Sequence, residues 1–147
     1  MPEWVDLAYE DYARRLRGSH RLELIEIPVA RRTKSDSAAR VGQLLDEECR
    51  RMLSALGTGG MAVLLDERGR EHSSRELAQQ LPKWLHKGTV NFLLGGPDGF
   101  APNVLARVPE RWSLSRLTLP HGLARVLLAE QLYRAVTLLS GHPYHRD

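Results

Sequence analysis

Two short apolar runs, residues 61–65 and Val90–Leu94, stand on either side of a segment that carries its own helix start. That arrangement restricts the fold more than any other feature of the chain. Ser73 followed three positions later by Glu76 has the spacing of a capping box, in which each side chain satisfies a free N–H at the helix start, and it predicts a helix through about His86. Lys87 and Gly88 stop it. Two strands separated by a helix of this length cannot close as a hairpin, so they pair in parallel through a crossover. The expectation is an α/β fold, a mostly parallel sheet with helices on both faces.

The flanking segments extend the same alternation. Trp4, Val5, Leu7, Ala8, Tyr12 and Leu16 recur at near-helical spacing and predict a helix over residues 3–17, ended by Gly18. Residues 22–29, rich in Leu and Ile with Pro28 near the end, predict a buried strand. After a basic and polar loop over 31–37, Val41, Leu44, Leu45, Met52, Leu53 and Leu56 form the stripe of a second long helix stopped by Gly57, with a turn through Gly60. The strand that begins at Met61 is expected to end at Asp66. Beyond the run Gly95, Gly96, Pro97, Asp98, Gly99 come a short helix over Pro102–Arg107 and a strand or extended loop over 113–119 closed by Pro120. The longest helix is His121–Ser140, with Leu123, Val126, Leu127, Leu132, Val136 and Leu139 on a broad apolar face, Arg134 within reach of Glu130, and Gly141 as its stop.

A chain of 147 residues with 42% hydrophobic and 27% charged residues has the size and composition of one globular domain, taken here as residues 1–147. No apolar run has the length of a membrane span, and the start is acidic and then basic with no apolar core of a signal peptide. Cys49, the single cysteine, makes neither an intrachain disulfide nor a multi-thiolate zinc site, and a reducing cytoplasm is expected. The net charge of +3 is uneven: residues 1–50 sum to −1 and residues 51–147 to +4. Arg116, Arg125, Arg134 and Arg146 lie in the last third with His121, His142 and His145. Such a stretch suits an anionic partner, phosphate or nucleic acid, although charge alone favours a solvated cationic face.

Residue chemistry excludes several classes. The glycine run after Leu94 sits where strand ends place ligands in open parallel sheets, yet it lacks the spacing of a dinucleotide site and the Lys-Ser/Thr of a phosphate-binding loop. It serves either as a backbone cradle or as a turn. His142 and His145 lie three apart across a proline with no carboxylate pair to complete a ligand set, so no metal is expected. No nucleophile elbow surrounds Ser113 or Ser115. The tail His142, Pro143, Tyr144, His145, Arg146 combines a stacking ring, a titratable imidazole and a guanidinium, the side chains that hold bases and phosphates; the alternative is a disordered end.

FLLGGPDGF, SLSRLTLPHGLARVLLAEQLYRA and the terminal GHPYHR together resemble the C-terminal signature of the RlmH-type pseudouridine N3-methyltransferases of large-subunit ribosomal RNA, in the SPOUT superfamily. Weaker similarity runs back through MAVLLDERG and LELIEIPVARR to MPEWV, nearly the whole chain. The resemblance implies a C-terminal deep trefoil knot, S-adenosylmethionine bound in it, and a homodimer acting on ribosomal RNA; periodicity indicates none of these. It places the cofactor among Leu65, Gly96, Ser115, Arg116, Leu117, Thr118, Leu119 and Pro120. It points to His145 as acceptor or relay of the N3 proton, with His121 as a second candidate or a helix-start hydrogen-bonding residue. Tyr144 would orient the base, and Arg146 and Arg134 would meet phosphate or the developing imide anion. His142 and Arg125 are assigned to the substrate side. A non-catalytic RNA-binding module with the same fold is the alternative function.

In one respect the chain departs from that family. Its members begin with a short apolar strand and a glycine-containing turn ahead of the segment that matches MPEWV, and this sequence starts at that segment. Either the strand lies upstream, or the sheet carries an unsatisfied edge beside an apolar groove.

Overall fold

A computed structural model describes residues 1–28, 32–56, 59–96 and 98–146. Val29, Arg31, Gly57 and Pro97, each part of an expectation above, lie outside the described residues. The elements are α1 (Glu3–Arg15), α2 (Ala38–Ala55), β1 (Met61–Glu71), α3 (Ser74–Leu85), β2 (Val90–Leu94), α4 (Pro102–Arg107), β3 (Arg111–Ser113) and α5 (His121–Ser140), with a 3-10 turn at Gly18–His20. Among the described residues no helix is long and apolar enough to cross a membrane.

Local chemistry explains the element ends. The Ser73 hydroxyl accepts from the Glu76 N–H at 3.1 Å and the Glu76 carboxylate accepts from the Ser73 N–H at 3.0 Å, closing the reciprocal cap. These bonds favour the ionised form and hold the Glu76 carboxyl below its ordinary range. The Ser37 hydroxyl caps α2 by a one-way bond, accepting from the Arg40 N–H. Gly141 ends α5 in the left-handed region at φ +74°, where the His142 N–H reaches the Thr137 carbonyl at 2.9 Å.

The sheet has the order β2-β1-β3 and both pairings are parallel. Adjacent β1 residues serve opposite faces. Val63 packs with Leu77, Leu81 and Trp84 of α3 and Leu128 and Leu132 of α5. Leu64 packs with Cys49 of α2 and Val104 of α4. Helices thus cover both faces, as expected. Trp84 centres the first cluster, with its ring 6.0 Å from Phe92 and 6.5 Å from Trp112. Helix α1 lies on α5, and the crossing is close: a Cβ at Gly122 would stand 2.9 Å from Val5 Cγ2.

Three expectations need correction. Strand β1 does not end at Asp66 but continues to Glu71, because β3 pairs with it again at Arg70 and Glu71 after an irregularity. Gly69 allows this return, since a Cβ there would lie 2.8 Å from the Arg111 backbone. Of the two forms expected at 113–119, the run is strand through Ser113 and extended loop beyond it. The buried face of α5 is not the expected stripe: Arg125, Leu128, Ala129, Leu132 and Ala135 are buried, whereas Leu123, Leu127 and Leu139 are exposed.

Residues 22–28 form no strand, which corrects the buried strand expected over 22–29. The Met61 N–H donates to the Thr89 carbonyl, so alternate residues Val90, Phe92 and Leu94 turn their backbone groups to the outer edge of β2. Among the described residues nothing pairs with that edge. A groove of about 1230 Å³ separates it from the irregular segment, lined by Phe92, Leu94, Leu22, Ile27, Leu81 and Met52. A strand is defined by its hydrogen-bonded neighbour, and without one the Leu- and Ile-rich segment stays irregular.

Candidate functional site

Residues 65–68 in the middle of β1, the carboxyl end of β2, the glycine turn and the loop before α5 enclose a second cavity of about 510 Å³. Its size lies within the range of small-molecule sites. Leu65, Gly96, Ser115, Leu117, Thr118, Leu119 and Pro120 line it, which brings together seven of the eight residues assigned to the cofactor. Arg116 is the exception: it points away, 85% exposed, with Nε 3.7 Å from Glu71. His121 also lines the cavity.

The loop is shaped from within and clasped to β1. The Ser115 hydroxyl accepts from the Leu117 N–H at 3.0 Å, and the Ser113 hydroxyl donates to the Ser115 carbonyl at 2.8 Å. The Thr118 hydroxyl donates to the Glu67 carboxylate at 2.8 Å. On the opposite wall the Gly99 N–H donates to the Gly96 carbonyl at 3.1 Å, which tightens the turn. A Cβ at Gly96 would meet no atom within 4 Å, so the backbone there borders open space. Apolar side chains for the faces of a flat ring, with hydroxyls, a carboxylate and backbone groups for its edge and sugar, fit a nucleoside-type ligand.

His121 sits in the wall between the cavity and the groove. Its Nδ1 is 3.2 Å from the Gly95 carbonyl, which requires a proton on that nitrogen, and its Nε2 faces Arg125 Nη2 at 3.4 Å. Both ring nitrogens are engaged. Arg125, assigned to the substrate side, is 7% exposed and directed inward, with Nη1 3.3 Å from Glu26.

The tail gathers elsewhere. Arg134 pairs with Glu130 at 2.6 Å, as the spacing of those residues implies, and its Nη1 donates to His145 Nδ1 at 3.0 Å. The Glu130 hydrogen bond raises the Arg134 pKa further above its ordinary value. The Tyr144 ring packs edge-on to Tyr133 at 4.7 Å and lies under the Arg134 guanidinium, and its hydroxyl donates to Glu130 at 3.2 Å. Burial, then a hydrogen bond with Tyr12, then the Glu130 charge push the Tyr144 phenol up to about 12. His142 is exposed and accepts the Tyr144 N–H at 3.2 Å; Arg146 is exposed. Thirteen residues separate His121 from Arg134, roughly 20 Å of helix, so this cluster and the cavity stand apart within one chain.

Sequence reading did not assign Glu67, which lines the cavity, or Arg32, Glu48 and Asp98, which are linked to one another behind its glycine turn. Arg32 forms a two-pronged pair with Glu48, with Nη2 to Oε2 at 3.1 Å, and its Nε donates to Asp98 at 2.9 Å. The Glu48 hydrogen bond raises the Arg32 pKa above its ordinary value. Asp98 was visible in the glycine run, but no local pattern joins it to a residue 66 positions away.

Comparison with known proteins matches this sequence to a family. A family model described as "Predicted SPOUT methyltransferase" matches residues 1–145. The protein named "Ribosomal RNA large subunit methyltransferase H" in Alkalilimnicola ehrlichii is 55% identical over 147 residues, covering 99% of this chain and 92% of that one. Proteins of the same name in Azotobacter vinelandii and Pseudomonas fluorescens are 50% and 48% identical, each comparison covering 99% of this chain and 93% of the relative. With a family model spanning nearly every residue and close relatives aligned over nearly the whole length, the chain belongs to the SPOUT methyltransferase family.

Proposed function

We propose that residues 1–147 are a single methyltransferase domain that uses S-adenosylmethionine to methylate N3 of a pseudouridine in large-subunit ribosomal RNA, as a cytoplasmic homodimer with the C-terminal third knotted. The observation that carries this reading is the convergence of Leu65, Gly96 and most of the loop 115–120 on one cavity, in a chain whose relatives bear the name of a ribosomal RNA methyltransferase. When bound, S-adenosylmethionine supplies an electrophilic methyl group on a sulfonium, which needs no acid to assist departure. Leu65, Leu117 and Leu119 would hold its apolar ring, and the backbone at Gly96 and the loop would supply hydrogen-bonding groups for its polar edge and sugar. The remaining chemical demand is the imide proton at N3, since that nitrogen is protonated at neutral pH.

His145 is the residue assigned to that proton, with Tyr144 orienting the base and Arg134 and Arg146 countering negative charge. In the docked tail the lone pair of His145 Nδ1 accepts from Arg134. A base role therefore requires this contact to be given up as RNA engages. The separation along α5 directs the tail to the cavity of a second copy, and the exposed Trp4, Leu7, Leu123 and Leu127 on the packed pair α1 and α5 supply an apolar face for that copy. His121 and Arg125 brace the glycine turn.

The test is calorimetric titration with S-adenosylmethionine, followed by methyl transfer to ribosomes and nucleotide mapping of the product. Saturable binding and N3-methylpseudouridine are expected. Cofactor binding with no transfer to any ribosomal substrate would favour a non-catalytic RNA-binding module.

A further inference from the structure

We propose that Arg32, acting through Asp98, is a positioning residue that sets the shape of the glycine turn at residues 95–99; this rests on the assignment of S-adenosylmethionine to the cavity beside that turn. All three kinds of guanidinium nitrogen are used. Nη1 and Nη2 take the two oxygens of Glu48, and Nε takes Asp98. Glu48 is buried on α2, so the guanidinium is anchored to a rigid element before it reaches the turn. A bidentate pair fixes the plane of the guanidinium as well as its position, and a lysine cannot reproduce it.

The next residue of α2 braces the same segment independently. The Ala101 N–H donates to Cys49 Sγ at 3.3 Å, immediately after the turn. Helix α2 thus grips the chain at Asp98 and at Ala101, while His121 holds the Gly95 carbonyl from the α5 side. Between these anchors lies Gly96, whose backbone borders the cavity. A glycine-rich turn has the most freedom to lose on ordering, so a ligand that needs one shape of it binds more tightly when side chains impose that shape beforehand. Arg32 also neutralises Asp98, so the turn offers backbone groups and not a carboxylate.

The experiment compares the unaltered full chain with Asp98→Asn, Arg32→Gln and Arg32→Lys. It measures the Kd for S-adenosylmethionine by calorimetry, KM and kcat for ribosome methylation, and the melting temperature. Asp98 is exposed, so its variant keeps the fold. Asp98→Asn and Arg32→Gln are expected to raise Kd and KM for the cofactor about tenfold, with Arg32→Lys between them and the unaltered chain. At saturating cofactor, kcat stays within about twofold in Asp98→Asn, because the turn touches the cofactor and not the acceptor base. A lower melting temperature with Kd unchanged in all three variants would show a merely structural pair and overturn the proposal. Absence of binding by the unaltered chain would overturn the cofactor assignment along with it, whereas tight binding by every variant would overturn the positioning role alone.

Discussion

Gly96→Val separates an effect on ligand binding from an effect on folding. A Cβ at Gly96 meets no protein atom within 4 Å, and the residue does not use the left-handed region, so a side chain starts there with neither a Cβ clash nor left-handed strain. Replacing a glycine in a compatible conformation reduces the freedom of the unfolded chain and stabilises by about 0.4–1 kcal/mol. The melting temperature should therefore hold or rise by about 1–4 °C in a chain of this size. Gly96 lines the cavity of about 510 Å³ assigned to the cofactor, so a side chain there competes with the ligand for that space. Forcing extra carbons into a close-packed contact costs about 1–3 kcal/mol, which is a loss of about 5- to 150-fold in affinity. Gly69→Ala is the contrasting control, since its Cβ would stand 2.8 Å from the Arg111 backbone and the fold must shift. Calorimetric titration with S-adenosylmethionine and differential scanning calorimetry on both variants provide the measurements. Undiminished affinity in a folded Gly96→Val protein would refute the assignment of the cavity.

Ending the chain after Gly141, or substituting His145→Ala, should leave cofactor affinity within about twofold while methyl transfer falls by about 100-fold or more, the scale of a lost acid–base residue; full activity of the shortened chain on ribosomes would remove the tail from the reaction. The Tyr144 phenol is raised from an ordinary value near 10 to about 12, so docking of the tail is at full strength below about pH 10 and is lost as the pH rises through about 12; phenolate absorbance in the unaltered chain and in Tyr144→Phe checks this, and an ordinary titration of Tyr144 would contradict the docked geometry. Trp84→Ala removes the centre of the aromatic cluster and should cost about 3–5 kcal/mol in urea unfolding; a loss below about 1 kcal/mol would show that the cluster does not hold the sheet to α3.

Helix ends were legible because their signals are local: Ser73 with Glu76, Pro102 at a helix start and Gly141 at a helix end act within one turn of backbone. Strand limits were less so. The polar stretch after Asp66 reads as loop, yet it continues β1 because β3 supplies backbone partners that no side-chain pattern announces. Residues 22–28 show the converse, an apolar composition without a neighbour to pair with. In α5 apolar side chains extend nearly around the helix, so spacing alone did not identify Leu128 and Arg125 as the inward residues or Leu123 and Leu127 as outward ones. The cavity residues were legible through resemblance to a family, since nothing in the run 115–120 itself signals a ligand. The contacts that join Arg32 to Asp98 and Thr118 to Glu67 span 66 and 51 positions, and such pairings exist only once the chain has folded.

The packing of α1 on α5 also bears on how the protein is made. Val5 and Tyr9 are buried where the first helix meets the last, and Gly122 admits Val5 at the crossing. More than a hundred residues separate these partners, so the contact is among the last that a growing chain can form. At the usual rate of about 5–20 residues per second, the apolar side of α1 leaves the ribosome about 6–20 s before α5 is available to cover it. During that interval the nascent chain shows the properties of an unfinished core: affinity for holdase chaperones and sensitivity to protease at Val5 and Tyr9. Arrested chains that stop before His121 should display both, and the released full-length chain should lose them.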